Sequence, residues 1–221
     1  MDYSRTEENY LKTIYKLSNE DGLVSTNALA EELNTKPASV SDMIKKLDLK
    51  ALIHYKKYRG VSLTEEGNLV ALRVIRKHRL WEVFLVEKLK FNWDEVHEVA
   101  EQLEHIKSTR MIERLDEFLG FPQFDPHGDP IPDENGEFHK VHSIKLSDGE
   151  KSKRFKVVAV DDSNSSFLRY LDKAGIGIGA ELEILEMIEY DGSLEILIDQ
   201  QNSRLISHQV AEHILVIESL R

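Results

Sequence analysis

Apolar residues recur at helical spacing in three separate runs near the start of the chain. Tyr10, Leu11, Ile14, Tyr15 and Leu17 form the first, and Asp21-Gly22 ends it. Leu29, Ala30 and Leu33 form the second, with a cap expected at Thr26 and a stop at Asn34. Pro37 suits the first turn of a third helix, whose Val40, Ile44, Leu47 and Ala51 share a face. Two strand-like segments, Leu52-Ile53-His54-Tyr55 and Val61-Ser62-Leu63, flank the turn Lys57-Tyr58-Arg59-Gly60 and predict a hairpin. Three helices followed by a hairpin is the order of a winged helix-turn-helix.

From Glu65 to about Leu119 the pattern is almost continuously helical, broken near Phe91-Asn92, with a new helix expected from Asp94 to Lys107. Leu69, Leu72, Val74, Ile75, Leu80, Phe84, Leu85 and Leu89 are more apolar surface than one isolated helix needs, which predicts packing against a second subunit. Residues 120–137 hold four of the five prolines and read as a loop. From Ser143 onward strand patterns dominate: Arg154 to Val160, Glu181 to Leu185, Ser193 to Ile198 and Ile214 to Ile217, with one helix from Ser165 to Ala174. A small β-barrel is the expected result. The Gly175-Ile176-Gly177-Ile178-Gly179 run reads as a turn within it, because a strand follows and no helix N-terminus is available to a phosphate. The whole is a multidomain α+β chain, divided at 1–65, 66–140 and 141–221.

Composition narrows the chemistry. With no cysteine, a disulfide, a thiolate zinc site, an iron–sulfur cluster and a cysteine nucleophile are all excluded. No leader pattern and no membrane-length apolar run appear, so a cytoplasmic location is expected. The net charge of −11 argues at first against nucleic acid. Its distribution reverses that argument. Asn34 to Gly60 carries seven Lys and Arg against two Asp, a local +5 on the third helix and the hairpin. These are the two elements that a winged helix offers to a DNA duplex. Thr26, Lys36, Ser39, Ser41, Lys45 and Arg59 are the expected DNA-binding residues, their hydroxyls and cationic groups suited to base edges and phosphates.

A second constellation lies on the expected Asp94–Lys107 helix. Val96, Val99, Leu103 and Ile106 mark its apolar face, while His97, Glu101, Glu104 and His105 form another stripe. His78 and Glu82 stand four apart on the preceding helix, and Asp125-Pro126-His127 adds a carboxylate and an imidazole in a stiff loop. Imidazoles and carboxylates converging between helices suit a divalent metal. An all-nitrogen and oxygen donor set fits Mn(II) or Fe(II), leaves Zn(II) able to bind in vitro, and does not fit Cu(I).

Together these features resemble the diphtheria toxin repressor family of metal-dependent regulators, its manganese-responsive branch most closely. The segments that carry the resemblance span the chain: Tyr10-Leu11-Lys12-Thr13-Ile14-Tyr15, the Lys57-Tyr58-Arg59-Gly60 wing with Leu63-Thr64-Glu65-Glu66-Gly67, Arg76-Lys77-His78-Arg79-Leu80, Glu101-Gln102-Leu103-Glu104-His105, and Pro126-His127-Gly128-Asp129-Pro130-Ile131-Pro132. The resemblance implies a winged helix-turn-helix, a helical metal-binding and dimerisation domain and a small Src-homology-like (FeoA-like) β-barrel. It implies metal ligands at Glu101, Glu104 and His105, and at His78, Glu82 and His97. Asn9 stands where the family has Asp or Met. Glu101 stands where iron-responsive members have Cys, and Asp125 replaces the Cys of a Cys-Pro-His loop. Asp162 is the barrel position matched to that site, with Asp161 beside it and Ser163 and Ser166 near other barrel ligand positions.

The function so implied is a homodimeric repressor of manganese or iron uptake genes, not an enzyme, which binds a pseudo-palindromic operator when loaded with metal. Without metal, the clustered carboxylates are expected to repel one another. Two rival readings are a metallohydrolase fused to a DNA-binding domain and a metal-independent regulator whose barrel binds a protein.

Overall fold

Ser4 opens the first helix, α1 (Arg5–Leu17), with a reciprocal cap: its side chain accepts from the Glu7 amide, and the Glu7 carboxylate accepts from the Ser4 amide. The computed structural model describes residues 3–18, 22–56, 59–139, 142–161 and 164–219. They form two compact units. One is Met1–His78 with Glu101–Ile112 and Pro132–Phe138, and the other is Arg79–Ala100, Glu113–Ile131 and His139–Arg221.

In the first unit, α1 is followed by α2 (Thr26–Glu32), α3 (Pro37–Leu49), and the antiparallel pair β1 (Ile53–Lys56) and β2 (Gly60–Leu63). Leu11, Ile14, Leu29, Val40, Ile44, Leu47, Leu52 and Val61 fill the centre and are essentially inaccessible to solvent. Each such side chain contributes roughly 1.5–3 kcal/mol through burial, so this core fixes the angle between α2 and α3. Val24 pairs with Val61 by backbone hydrogen bonds in both directions, anchoring the wing to the segment before α2. The cap of α2 is Ser25, whose side chain accepts from Ala28, and Thr26 is the first helical residue. Ala51 leaves the expected helical face: α3 ends at Leu49, and Ala51 is exposed with a φ of 56°.

The helical middle has more breaks than its pattern predicts. α4 runs Glu65–Glu87, α5 only Val96–Leu103, and a separate α6 spans Thr109–Leu119. Glu104 and His105 therefore lie in the turn after α5 rather than on its face.

In the second unit, strands β3 (Ile144–Lys145), β4 (Arg154–Val160), β5 (Glu181–Met187), β6 (Leu194–Ile198), β7 (Asn202–Ile206) and β8 (Ile214–Glu218) form one antiparallel sheet. Their order is β3-β8-β4-β5-β6-β7. A register shift between Val157 and Ala159 breaks the alternation of β4, so Ala159 and Val160 are both buried. A second shift lies between Ile184 and Glu186. The strands enclose Phe155, Leu182, Ile184, Leu194, Ile196 and Val216, and α7 (Ser165–Ala174) adds Leu168 and Leu171. Gly175 ends α7 in the left-handed conformation, placing the glycine run in the turn before β5. The sequence pattern missed β7, because four of its five residues are exposed, and the short α8 (His208–Glu212).

Candidate metal centre and DNA-binding surface

One cluster belongs to the first unit. α1 presents Glu8 and Lys12 on successive turns, and the turn after α5 brings His105 and Glu104 against them. Lys12 Nζ donates to Glu104 Oε1 at 2.6 Å and lies 3.5 Å from Glu101. The other Glu104 oxygen is 2.6 Å from His78 Nδ1, and His105 Nδ1 is 2.5 Å from Glu8 Oε2. Lys77 approaches Glu8 at 3.5 Å. Glu104 is only 1% exposed, and burial alone would raise its pKa. The hydrogen bond from His78 and the charge of Lys12 outweigh that and hold it below the ordinary carboxylate value.

Asn9 is the residue whose chemistry is incomplete. Its Oδ1 is buried and has no hydrogen-bond partner among the described residues. A buried amide oxygen left unpaired costs about 1–3 kcal/mol unless a ligand completes it. An amide oxygen lone pair on the helix that carries Glu8 to His105 suits a hard or borderline divalent cation. The expected mutual repulsion of the carboxylates is not found here. Lys12, Lys77, His78 and His105 each sit on one of them, because a buried carboxylate without a partner would be too costly.

A further cluster belongs to the second unit. Glu82 on α4, Asp125 and His127 offer ligand atoms that all lie within 4.8 Å of one another, and all three residues are buried. His97 Nδ1 stands 3.3 Å from Glu82 Oε1. Asp125 Oδ1 accepts the amides of His127 and Asp129, while Oδ2 faces Arg79 Nε at 3.5 Å. Burial pushes the Asp125 pKa well above its ordinary value, and the negative charges of Glu82 and Asp129 push the same way. Both effects disfavour its charged form, which a cation would favour. The loop is tied down at Val160, whose amide donates to the His127 carbonyl at 2.9 Å.

His78 stands one turn before Glu82 on α4, and its Nδ1 lies 2.6 Å from Glu104 in the first cluster. Asp161 pairs with His213 at 2.6 Å. Asp162 and Ser163 lie outside the described residues, and Ser166 bonds the Asn164 cap. Sequence reasoning missed Glu8, Lys12 and Arg79. A charged residue on an amphipathic helix ordinarily faces water, and only burial shows that Lys12, 6% exposed, does not.

The DNA-facing set is displayed as a surface. Lys36, Ser39, Ser41, Lys45 and Arg59 are exposed, and Thr26 is half-buried in the first turn of α2. Ser41 Oγ bonds the Pro37 carbonyl, and Lys45 pairs with Asp42 at 3.1 Å, an exposed contact of little energy. The basic island is nevertheless divided: Lys46 and Lys50 turn back onto Glu7, at 3.2 and 2.6 Å. Lys57 and Tyr58 of the wing lie outside the described residues.

Comparison with known proteins matches this arrangement segment by segment. Residues 2–61 match the N-terminal DNA binding domain of iron dependent repressors, residues 64–133 their metal binding and dimerisation domain, and residues 144–218 the FeoA domain. The diphtheria toxin repressor of Corynebacterium efficiens is 32% identical over 211 residues, covering 88% of this chain and 91% of that protein. The chain belongs to the diphtheria toxin repressor family. Among solved structures, a manganese-dependent transcriptional repressor in complex with manganese superposes with a TM-score of 0.83 at 35% identity, covering 96% of this chain and all of that one. The repressor ScaR with bound Zn²⁺ has a TM-score of 0.75 at 30% identity, covering 96% of this chain and 99% of that one. This member of the diphtheria toxin repressor family is a metal-dependent transcriptional repressor with DNA-binding and dimerisation domains, and the metallohydrolase reading falls with that assignment. Among the described residues no helix is long and apolar enough to cross a membrane.

Proposed function

We propose that this repressor works in the cytoplasm as a homodimer, binds a pseudo-palindromic operator when loaded with Mn(II), and controls genes for manganese or iron uptake. Fe(II) is the second choice of activator, and Zn(II) would bind in vitro. The unpaired, buried Oδ1 of Asn9, on the helix whose Lys12 and Glu8 meet Glu104 and His105, is the observation that carries this reading. Asn9, Glu101, Glu104 and His105 would hold one ion. Glu82, Asp125 and His127 would hold another, with His97 and the barrel's Asp162 as further ligands. A cation held by these residues would supply the positive charge that their carboxylates need.

The residues around it define the rest of the switch. α1 packs through Tyr10, Leu11 and Ile14 into the same core as Val40 and Ile44 of α3, so fixing α1 fixes the recognition helix. Lys36, Ser39, Ser41 and Lys45 would then enter the major groove, with Thr26 and Arg59 on the flanking backbone. Preference for manganese is supported by the donors: Glu101 and Asp125 put hard oxygen where relatives carry sulfur.

Operator binding titrated with Mn²⁺, Fe²⁺ and Zn²⁺ against a chelator control tests the reading. Metal should raise DNA affinity, and Glu104→Gln should abolish that response while leaving the fold intact. DNA affinity unchanged across the series would favour the metal-independent alternative.

A further inference from the structure

Among the described residues, an ammonium group occupies the middle of the first cluster, and its placement has a cost that a structural role does not explain. Lys12 is 6% exposed, on the same face of α1 as Glu8 and three residues beyond Asn9. Burying an ammonium disfavours folding by several kcal/mol unless its partners compensate, and an apolar side chain of similar length would fill the space without that cost. The lysine is held by Glu104 at 2.6 Å and Glu101 at 3.5 Å, both of them residues assigned above to the metal.

We propose that Lys12 is a tethered counter-cation that competes with the divalent metal for Glu101 and Glu104 and thereby sets the metal concentration at which the first cluster fills. The inference rests on the metal reading given above and adds to it a positioning residue that tunes affinity. Its geometry is specific. Glu104 Oε2 is engaged by His78, so the oxygen through which Glu104 can turn to a cation is Oε1, the one that Lys12 holds. A dication drawn to Glu101 and Glu104 meets a positive charge already seated between them. Binding must displace the ammonium or tolerate it at close range, and both weaken affinity. In return, the metal-free cluster is neutralised and ordered, which keeps Glu104 buried without an ion.

The test compares Lys12→Met, which keeps the length and removes the charge, with Lys12→Arg, which keeps the charge. Both are made in full-length protein carrying His127→Ala, so that the second cluster does not contribute to the titration. Mn²⁺ binding is followed by calorimetry, and the metal-free protein by thermal melting. Lys12→Met should bind Mn²⁺ on the order of tenfold tighter or more and melt at a lower temperature without metal. Lys12→Arg should stay near the parent in both. Unchanged or weaker Mn²⁺ binding in Lys12→Met overturns the proposal, as does equal tightening in Lys12→Arg. If the His127→Ala parent binds no Mn²⁺ at all, the metal assignment of the first cluster fails instead. Should Lys12→Met not fold, Lys12→Gln carries the same expectations.

Discussion

His127 Nε2 lies 2.9 Å from the carbonyl oxygen of Trp93, and the indole of Trp93 stacks on the imidazole with ring centres 5.8 Å apart. A carbonyl only accepts, so the proton is on Nε2 and the Nδ1 lone pair points toward Glu82, whose Oε2 is 4.0 Å away. The ring is thus oriented and in the tautomer that can ligate a metal. Trp93→Ala removes the stacking that holds this orientation. It should weaken metal binding at the Glu82, Asp125 and His127 cluster by roughly 10-fold or more, leaving the Asn9 cluster unchanged. Metal titrations resolving the two classes of site would check it, and equal loss at both would count against local orientation as the cause.

Asp125 is under opposite pressures with and without metal. Its pKa is raised in the folded protein by burial and by Glu82 and Asp129, so the folded state binds a proton more tightly than the unfolded chain does. Its contribution to metal-free stability is therefore fully present below the ordinary carboxylate pKa and is lost as pH rises through the raised value. Asp125→Asn keeps the shape and removes the charge. The metal-free variant should melt higher than the parent at neutral pH, and the rise in melting temperature on adding Mn²⁺ should shrink.

Glu7 shows the reverse linkage. Burial opposes its charge, yet hydrogen bonds from Lys50, the Ser4 amide and Lys46 lower its pKa from 4.5 to about 2. Stability from Glu7 is present above the unfolded value of 4.5 and lost as pH falls through about 2. The shift bounds that stability at about 3 kcal/mol, and the partial exposure of both lysines reduces it through solvent screening. Glu7→Gln should cost about 1–2 kcal/mol at pH 7 in chelator, with the difference from the parent closing toward pH 2. Chemical denaturation across pH measures it.

Gly128 stands where the metal loop crosses β4. Its φ is +88°, and a Cβ there would lie 2.1 Å from the Val158 carbonyl oxygen and 2.4 Å from Ala159 Cα. Neither backbone atom can yield without breaking the strand. Gly128→Ala should destabilise the protein by roughly 2–4 kcal/mol and loosen the second cluster. A thermal melt with and without Mn²⁺ reads both effects, and a parental melting curve would show that the loop adapts.

The local elements were legible because their signals are local. The Ser165–Ala174 helix follows its sequence pattern residue for residue, and β4 spans the run expected as a strand, since such signals need only neighbours along the chain. The end of α5 at Leu103 was not legible: the helical spacing continues to Ile106, but Glu104 turns inward to meet Lys12 and His78. β7 escaped because an edge strand with polar residues has no buried face to impose alternation.

Residue types alone set out the donors on offer: no thiolate, and carboxylates and imidazoles at spacings of three and four suited to a divalent ion. The basic island on α3 and the hairpin was likewise written in the sequence. Tertiary structure decided which of those charges are available. It turned Lys46 and Lys50 of the basic island onto Glu7, seated Lys12 between Glu101 and Glu104, and left Asn9 Oδ1 unpaired. The physical reason is that a charge or an amide is indifferent to its neighbours in water and becomes dependent on them once buried. Burial depends on residues such as Lys12 and Glu104, 92 positions apart in the chain.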